Sequence, residues 1–285
     1  MAEFAKTVAK LCRISEREFL NPYTYLNWPE RLDSNQWFFS PQLISLYGTD
    51  HYERLTDEER QRLSLYEAVN FFSLNIHGEK ALVAGMAQRL YLKEHREISP
   101  YLHHFLDEEN KHMVYFAGFC TRYVNKVYPD KKMTFPREYA PGEEDFLFFS
   151  KILIFEEIVD EYNRIMAKDE RLAPIVRQIN RIHHVEEARH LAFGRELVKR
   201  LHQRCLPHWG KETRQAVNAT LCEYISATLR EYYNPEVYRD SGLTDPYGTY
   251  QEAMASQQCR ARGTQMSRRC VSYLVNNGIL EREPA

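Results

Sequence analysis

The sequence predicts an all-α protein built on a four-helix bundle with additional flanking helices. Three observations carry that prediction. Apolar residues recur at helical spacing along most of the chain, with only 11 glycines in 285 residues and no sustained strand-like alternation. The internal repeat is a pair of long helical hairpins, residues 56–127 and 143–204. Each hairpin carries one glutamate and, about thirty residues later, a Glu-x-x-His: Glu79 then Glu109-x-x-His112, and Glu156 then Glu187-x-x-His190. A single carboxylate followed by Glu-x-x-His, given twice, is what a four-helix bundle needs to hold two metal ions in its core.

The elements follow in order. The first twenty residues read as a helix that ends before Asn21-Pro22. Residues 21–55 are aromatic, Pro-containing and irregular, and are expected to wrap the outside of the bundle. Thr56-Asp-Glu-Glu59 is a capping box opening a helix to about Leu92. Ser99-Pro100 reads as an N-cap with proline at the first helical position, opening a helix to about Val127. Pro129, Pro136, Pro141 and Gly142 mark a longer connection over 129–142. A third long helix spans about Glu143–Ala167, and Pro174 sits in the first turn of a fourth reaching about Arg204. A fifth covers about Glu212–Tyr233 and stops at Asn234-Pro235. Two short helices are expected around Gln251–Gln257 and Thr264–Asn276. With no linker or low-complexity segment, residues 1–285 read as one domain: a metal-binding bundle at about 56–204, flanked by 1–55 and 205–285.

Composition narrows the function classes. A net charge of −2 and pI of about 6.6 give no nucleic-acid footprint. The Arg-rich stretch Arg260–Arg269 reads as a solvated helix face. Six scattered cysteines with no Cys-x-x-Cys exclude a zinc ribbon or thioredoxin motif. There is no signal-like h-region, and the apolar run Phe146–Phe155 is too short to span a bilayer. The expectation is a soluble, cytoplasmic protein with no nucleic-acid or membrane partner.

The metal reading rests on arrangement, because chance placement of 30 glutamates and 11 histidines over 285 residues gives about one Glu-x-x-His. Phe72, Ile76, Val83 and Met86 put Glu79 on an apolar stripe. Leu102, Phe105, Met113 and Phe116 surround Glu109 and His112. Ile152, Leu153 and Val159 flank Glu156, whereas Glu157 sits by Asp160 and Glu161, so Glu156 is the inward acid. His183, Glu187, His190 and Gly194 share one stripe, which leaves His184 off it. Glu108, Glu157 and Glu186 are outward or neighbouring groups. Counting about 1.5 Å per residue from the turn puts Glu156 and Glu187 at nearly one level, and excludes Glu67 at roughly 39 Å. Buried carboxylates need partners, and cations are the simplest. Four carboxylates and three imidazoles without a thiolate suit iron or manganese rather than zinc, calcium or magnesium. Phe72, Phe105, Phe116, Leu153 and Phe193 are candidate pocket walls.

The motifs His77-Gly-Glu79-Lys80, Asp107-Glu-Glu109-Asn-Lys-His112, Phe155-Glu156-Glu157 and His183-His-Val-Glu-Glu187-Ala-Arg-His190 resemble the p-aminobenzoate N-oxygenase type of non-haem diiron oxygenase. So does the tail Asn234-Pro235-Glu-Val-Tyr238 with Gly242-Leu-Thr-Asp245-Pro246. The His-x-x-x-Glu-x-x-His element is the most discriminating piece. The resemblance implies a ferritin-like bundle that forms a homodimer. It implies seven ligands: Glu79, Glu109, His112, Glu156, His183, Glu187 and His190, with no catalytic residue beyond them. It implies two iron ions, or manganese, with O2 as co-substrate, and oxidation of an amine to a hydroxylamine, nitroso or nitro product through a peroxo-diferric intermediate. The amine is a small molecule or is tethered to a carrier protein, and a ferredoxin or reductase supplies electrons. The alternatives are a diiron hydroxylase or desaturase on a carrier-bound substrate, a ferritin-like iron- or peroxide-handling protein, and a non-catalytic helical interaction protein.

Overall fold

A computed structural model describes residues 2–130 and 137–282. Among them the regular structure is helical: α1 (Ala2–Arg17), α2 (Asp50–Glu53), α3 (Asp57–Arg89), α4 (Ser99–Phe119), α5 (Glu143–Met166), α6 (Pro174–Cys205), α7 (Lys211–Arg230), α8 (Pro235–Asp240), α9 (Pro246–Ala255) and α10 (Gln257–Asn276). An isolated bridge joins Trp37 to Leu172. The expected all-α class is what the structure shows. Helices α3, α4, α5 and α6 form the bundle, with α3 paired to α4, α5 to α6, and the two hairpins touching through α3–α5 and α4–α6. Helix α1 packs on α4 and α6, α7 and α10 on α5, and α8 on α3.

The helix ends have local causes. Thr56 caps α3 as expected: its hydroxyl accepts from Glu59 N (3.3 Å), while the Glu59 carboxylate accepts from Thr56 N (2.8 Å). The helix stops at Arg89 rather than Leu92: Leu90 leaves helical backbone (ψ 131°) and Tyr91 is left-handed (φ 59°). Ser99 is not the N-cap of α4. The turns over 92–98 already make i+3 bonds (His95 N to Leu92 O, 2.9 Å), so the cap is Ile98. The Ser99 hydroxyl instead accepts from Tyr91 N (2.9 Å) and donates to His95 O (2.9 Å). After Phe119 the helix widens into a π turn, Cys120–Val124, ended by left-handed Asn125 (φ 52°). Of the connection expected over 129–142, residues 131–136, including Pro136, lie outside the described residues.

The flanks differ more from expectation. Asn234-Pro235 ends one helix and also opens the next, since the Asn234 side chain accepts from Glu236 N (3.1 Å) to cap α8. The last helix is a full 20 residues, capped by Ser256, whose hydroxyl accepts from Cys259 N (3.0 Å). Residues 21–55 do not merely wrap the surface. Phe38, Phe39, Ile44 and Leu46 are buried in the main core, and Phe38 N donates to Ser64 Oγ (3.1 Å) on α3. Arg262 is buried too, so the Arg-rich stretch is not uniformly solvated. No helix among the described residues is long and apolar enough to cross a membrane.

Two glycines bring the hairpins together, one of them next to a candidate ligand. A Cβ built on Gly78 would lie 2.2 Å from Phe155 Cζ, and one on Gly85 2.2 Å from Phe148 Cε2. Gly78 precedes Glu79 on α3 and Phe155 precedes Glu156 on α5, so this close packing sets the spacing between those two acids.

Candidate metal centre

All seven carboxylates and imidazoles singled out in the sequence meet in the middle of the bundle, each at most 3% exposed. Helix α3 supplies Glu79, α4 supplies Glu109 and His112, α5 supplies Glu156, and α6 supplies His183, Glu187 and His190. They fall into two groups whose donor atoms lie within 4.8 Å of one another: Glu79, His112 and His183, and Glu109, Glu156, Glu187 and His190. Two of the acids serve both groups. Glu109 turns Oε2 towards His112 Nδ1 (3.6 Å) and Oε1 towards His190 Nδ1 (2.8 Å). Glu187 Oε1 lies 3.5 Å from His112 Nδ1, 3.3 Å from His183 Nε2 and 3.3 Å from His190 Nδ1. Glu79 stays with the first group, 3.2 Å from His183 Nε2. Glu156 belongs to the second.

The outer nitrogens of two imidazoles are held by a reciprocal brace. His112 on α4 donates through Nε2 to Glu186 on α6 (3.0 Å), and His190 on α6 donates through Nε2 to Glu108 on α4 (2.8 Å). Each brace is the residue before a Glu of the opposite Glu-x-x-His. The braces are themselves charge-paired: Arg189 donates to Glu108 (2.7 Å) and Lys111 to Glu186 (3.2 Å). Both acids are therefore buried second partners rather than outward groups. The brace fixes the tautomer, leaving the Nδ1 lone pairs of both rings facing the cluster. Asn163, two turns beyond Glu156, backs His183 at Nδ1 (2.5 Å). Its amide NH2 faces the ring, and Oδ1 has no partner among the described residues. Rotating the amide by 180° lets Oδ1 accept from Nδ1–H and frees His183 Nε2 for the cluster.

The remaining candidates are accounted for elsewhere. His184 is one-third exposed and bonds Asp160 (2.5 Å). Glu157 binds Arg195 (2.5 Å). Glu67 is buried but bonds Ser45, outside both groups. His77 bonds Tyr128 O (2.7 Å), and His103 bonds the Tyr91 hydroxyl (3.0 Å). Phe105 stacks on His190 (centroids 3.8 Å) and Phe116 packs against His183 (5.0 Å), with Phe72 stacked behind Phe116 (5.1 Å). Phe193 lies edge-on to Phe105 (6.1 Å), and Leu153 is buried against Gly194. Phe105 and Phe116 thus touch the cluster directly, with Phe72 and Phe193 packed behind them. Asn163, Arg189 and Lys111 escaped the sequence reading. Asn163 had a usable signal, seven residues after Glu156 on the same stripe.

The cluster is short of positive charge. Burial, with neighbouring carboxylates, drives Glu79 and Glu156 well above the ordinary carboxyl range and raises Glu187. Burial opposes ionisation of Glu109 as well, yet His190 and His112 hold it at about 2. Against burial, Glu109 and Glu186 raise His112 well above its usual value, and Glu187 and Glu109 raise His190. Burial and the two neighbouring imidazoles push His183 well below its own. Both oxygens of Glu156, Oε2 of Glu79 and of Glu187, and Nδ1 of His112 have no hydrogen-bond partner among the described residues. Seven converging donors, orphaned oxygens and a charge deficit fit two cations. Nitrogen and oxygen donors without a thiolate fit iron or manganese.

A family profile described as P-aminobenzoate N-oxygenase AurF matches residues 2–278. Uncharacterized proteins of Mycobacterium bovis and Mycobacterium tuberculosis are 25% identical over 213 residues, which covers 70% of this chain and 62% of theirs. The chain thus spans under two thirds of the length of these curated relatives. Among solved structures, a valine-to-alanine variant of an R2-like ligand-binding oxidase with anaerobically reconstituted Mn/Fe cofactor shares the fold. Its TM-score is 0.50 at 17% identity, covering 92% of this chain and 94% of that one.

Proposed function

The chain belongs to the P-aminobenzoate N-oxygenase AurF family, and on that premise we propose that it is an O2-dependent dimetal oxygenase that oxidises the nitrogen of an amine. The observation that carries the reading is the seven-donor cluster, four carboxylates and three imidazoles, closed by His183 as a third histidine. Glu79, His112 and His183 would hold one ion, Glu156 and His190 the other, with Glu109 and Glu187 between them. When bound, the two ions, iron or manganese, supply the activation of O2.

The protein's own part is binding, orientation and dryness. Glu108 and Glu186 hold the His190 and His112 rings with Nδ1 turned inward, and Asn163 orients His183. Phe105, Phe116 and Phe72 exclude water on the histidine side. An amine must present a lone pair to be oxidised, so it must be neutral, and apolar walls favour that form by penalising the ammonium. The amine is a free small molecule or one tethered to a carrier protein. A ferredoxin or reductase returns electrons, and the enzyme acts as a homodimer.

The test is product analysis. Protein loaded anaerobically with Fe(II) is mixed with O2 and a panel of aromatic and aliphatic amines, free and carrier-bound. Hydroxylamine, nitroso or nitro products from at least one amine support the reading. Oxidation confined to C–H bonds, or O2 consumption with no change in any amine, sinks it.

A further inference from the structure

The Arg-rich stretch read from sequence as a solvated helix face has a more specific setting. Arg260, Arg262 and Arg268 of α10 and Arg230 of α7 line one cleft of about 550 Å³ between those helices. Its apolar wall is Ile225, Leu229, Met254 and Val271, and two tyrosines, Tyr162 and Tyr233, complete it. No carboxylate among the described residues lines it. Arg262 is buried and occupied, donating to Ser45 O (3.1 Å) and the Tyr233 hydroxyl (3.0 Å). Arg230, Arg260 and Arg268 are exposed, and none of them makes an ion pair among the described residues. Their neighbour Arg269 behaves differently, reaching Asp160 (3.5 Å) and Glu161 (3.8 Å). Arg260 donates to Ala255 O (3.3 Å), and the three exposed guanidiniums line the cleft.

The cleft is also kept open. Gly263 sits on its α10 wall, and a Cβ there would meet only Leu229 Cδ1, at 3.5 Å. Ser267 and Ser272 continue the small-residue side. The volume falls within the roughly 300–1,000 Å³ of ligand pockets. Positive charge at the rim of a low-dielectric wall focuses the field on anions, and the wall itself rewards apolar area.

We propose that the α7–α10 cleft binds an amphipathic anion, a carboxylate or phosphate head on an apolar tail, with the head between Arg230, Arg260 and Arg268 and the tail against Ile225, Leu229 and Val271. Guanidiniums suit both heads because their N–H groups match either in paired geometry. This binding needs neither metal ion, so it stands or falls separately from the oxygenase reading.

Isothermal titration of the metal-loaded protein at low salt tests it with four probes: decanoate, octyl phosphate, inorganic phosphate and 1-decanol. The expected result is 1:1 binding of decanoate or octyl phosphate with Kd below about 100 μM. The tighter of the two identifies the head. Decanol and inorganic phosphate should each bind at least tenfold more weakly. Arg260→Gln with Arg268→Gln should weaken binding at least tenfold. Gly263→Phe should abolish it by filling the cleft, with helix content and metal stoichiometry unchanged as the check on folding. The proposal is overturned if neither anion saturates below about 1 mM, if inorganic phosphate or decanol binds as tightly as the amphiphiles, or if both sets of variants bind like the parent protein.

Discussion

Glu109 and Glu187 each face both donor groups, so on the proposed two-ion reading their loss should be unlike the loss of the other donors. Glu109 offers one oxygen to His112 and the other to His190, while Glu79 and Glu156 each face one group. Glu109→Ala should therefore reduce metal content to well under one ion per chain after anaerobic loading. Glu79→Ala or Glu156→Ala should leave about one. Elemental analysis of the three variants decides it, and equal losses would remove the bridging role. The braces act one step out. Glu186→Ala releases His112 and so should weaken the position shared with Glu79 and His183. Glu108→Ala releases His190 and should weaken the Glu156 position. Each should cost roughly 10–100-fold in metal affinity, partly restored by Gln, which can still accept from the ring. Competition titration with a chelator measures this, and unchanged affinity in both variants would make the braces structural only. The inward donors were readable in the sequence because each sits on an apolar stripe of its own helix. The braces were not assignable, because Glu108 acts on a ring from α6 and Glu186 on one from α4. Only the packing of one helix against another reveals that crossing.

At the scale of the element, the close approach of α3 and α5 is set by Gly78, whose missing side chain is filled by Phe155. Gly78→Ala would place a methyl where the Phe155 ring tip lies, 2.2 Å away. The ring must shift, and the shift moves the backbone on either side of Glu79 and Glu156. Overpacking of this kind costs about 1–3 kcal/mol, offset in part by the better helix propensity of alanine. Chemical denaturation should show Gly78→Ala less stable than the parent, and Gly78→Ala with Phe155→Leu should recover most of the loss. A Gly78→Ala protein as stable as the parent would show that the contact is slack. The long helices were legible because caps and periodicity agree, as at Thr56 and Pro174. Their ends were less so. Tyr91 and Asn125 adopt positive φ where the helices end, a choice made by the surrounding chain and not marked by glycine or proline.

For the whole molecule the telling position is Glu67, where segments far apart in sequence meet. Its carboxylate accepts from Ser45 N (3.1 Å) and the Ser45 hydroxyl, which in turn contacts the Tyr238 hydroxyl (2.8 Å), and Arg262 donates to Ser45 O (3.1 Å). The segment 21–55, α3, α8 and α10 are thus tied at one buried acid. The aromatic, Pro-containing and irregular sequence of 21–55 predicts an outer wrap, but Phe38, Phe39 and Ile44 are buried by loop conformation instead. Burial raises Glu67 to about 7 from an ordinary 4.5, against the lowering effect of Ser45 and Arg262. A raised folded-state value means that the folded protein holds the proton more tightly than the unfolded chain. Its contribution to stability is therefore complete below pH 4.5, is lost as pH climbs from 4.5 to 7, and is flat above. The full loss is about 3 kcal/mol. Glu67→Gln keeps an acceptor for Ser45 and cannot ionise. Its stability relative to the parent should rise steadily between about pH 5 and pH 7 and stay level beyond, in urea titrations of both metal-loaded proteins. The difference between the two proteins cancels the titration of the metal-binding cluster, which they share. A difference that does not change across that interval would mean that Glu67 is ionised in the folded protein, with Arg262 close enough to hold its charge.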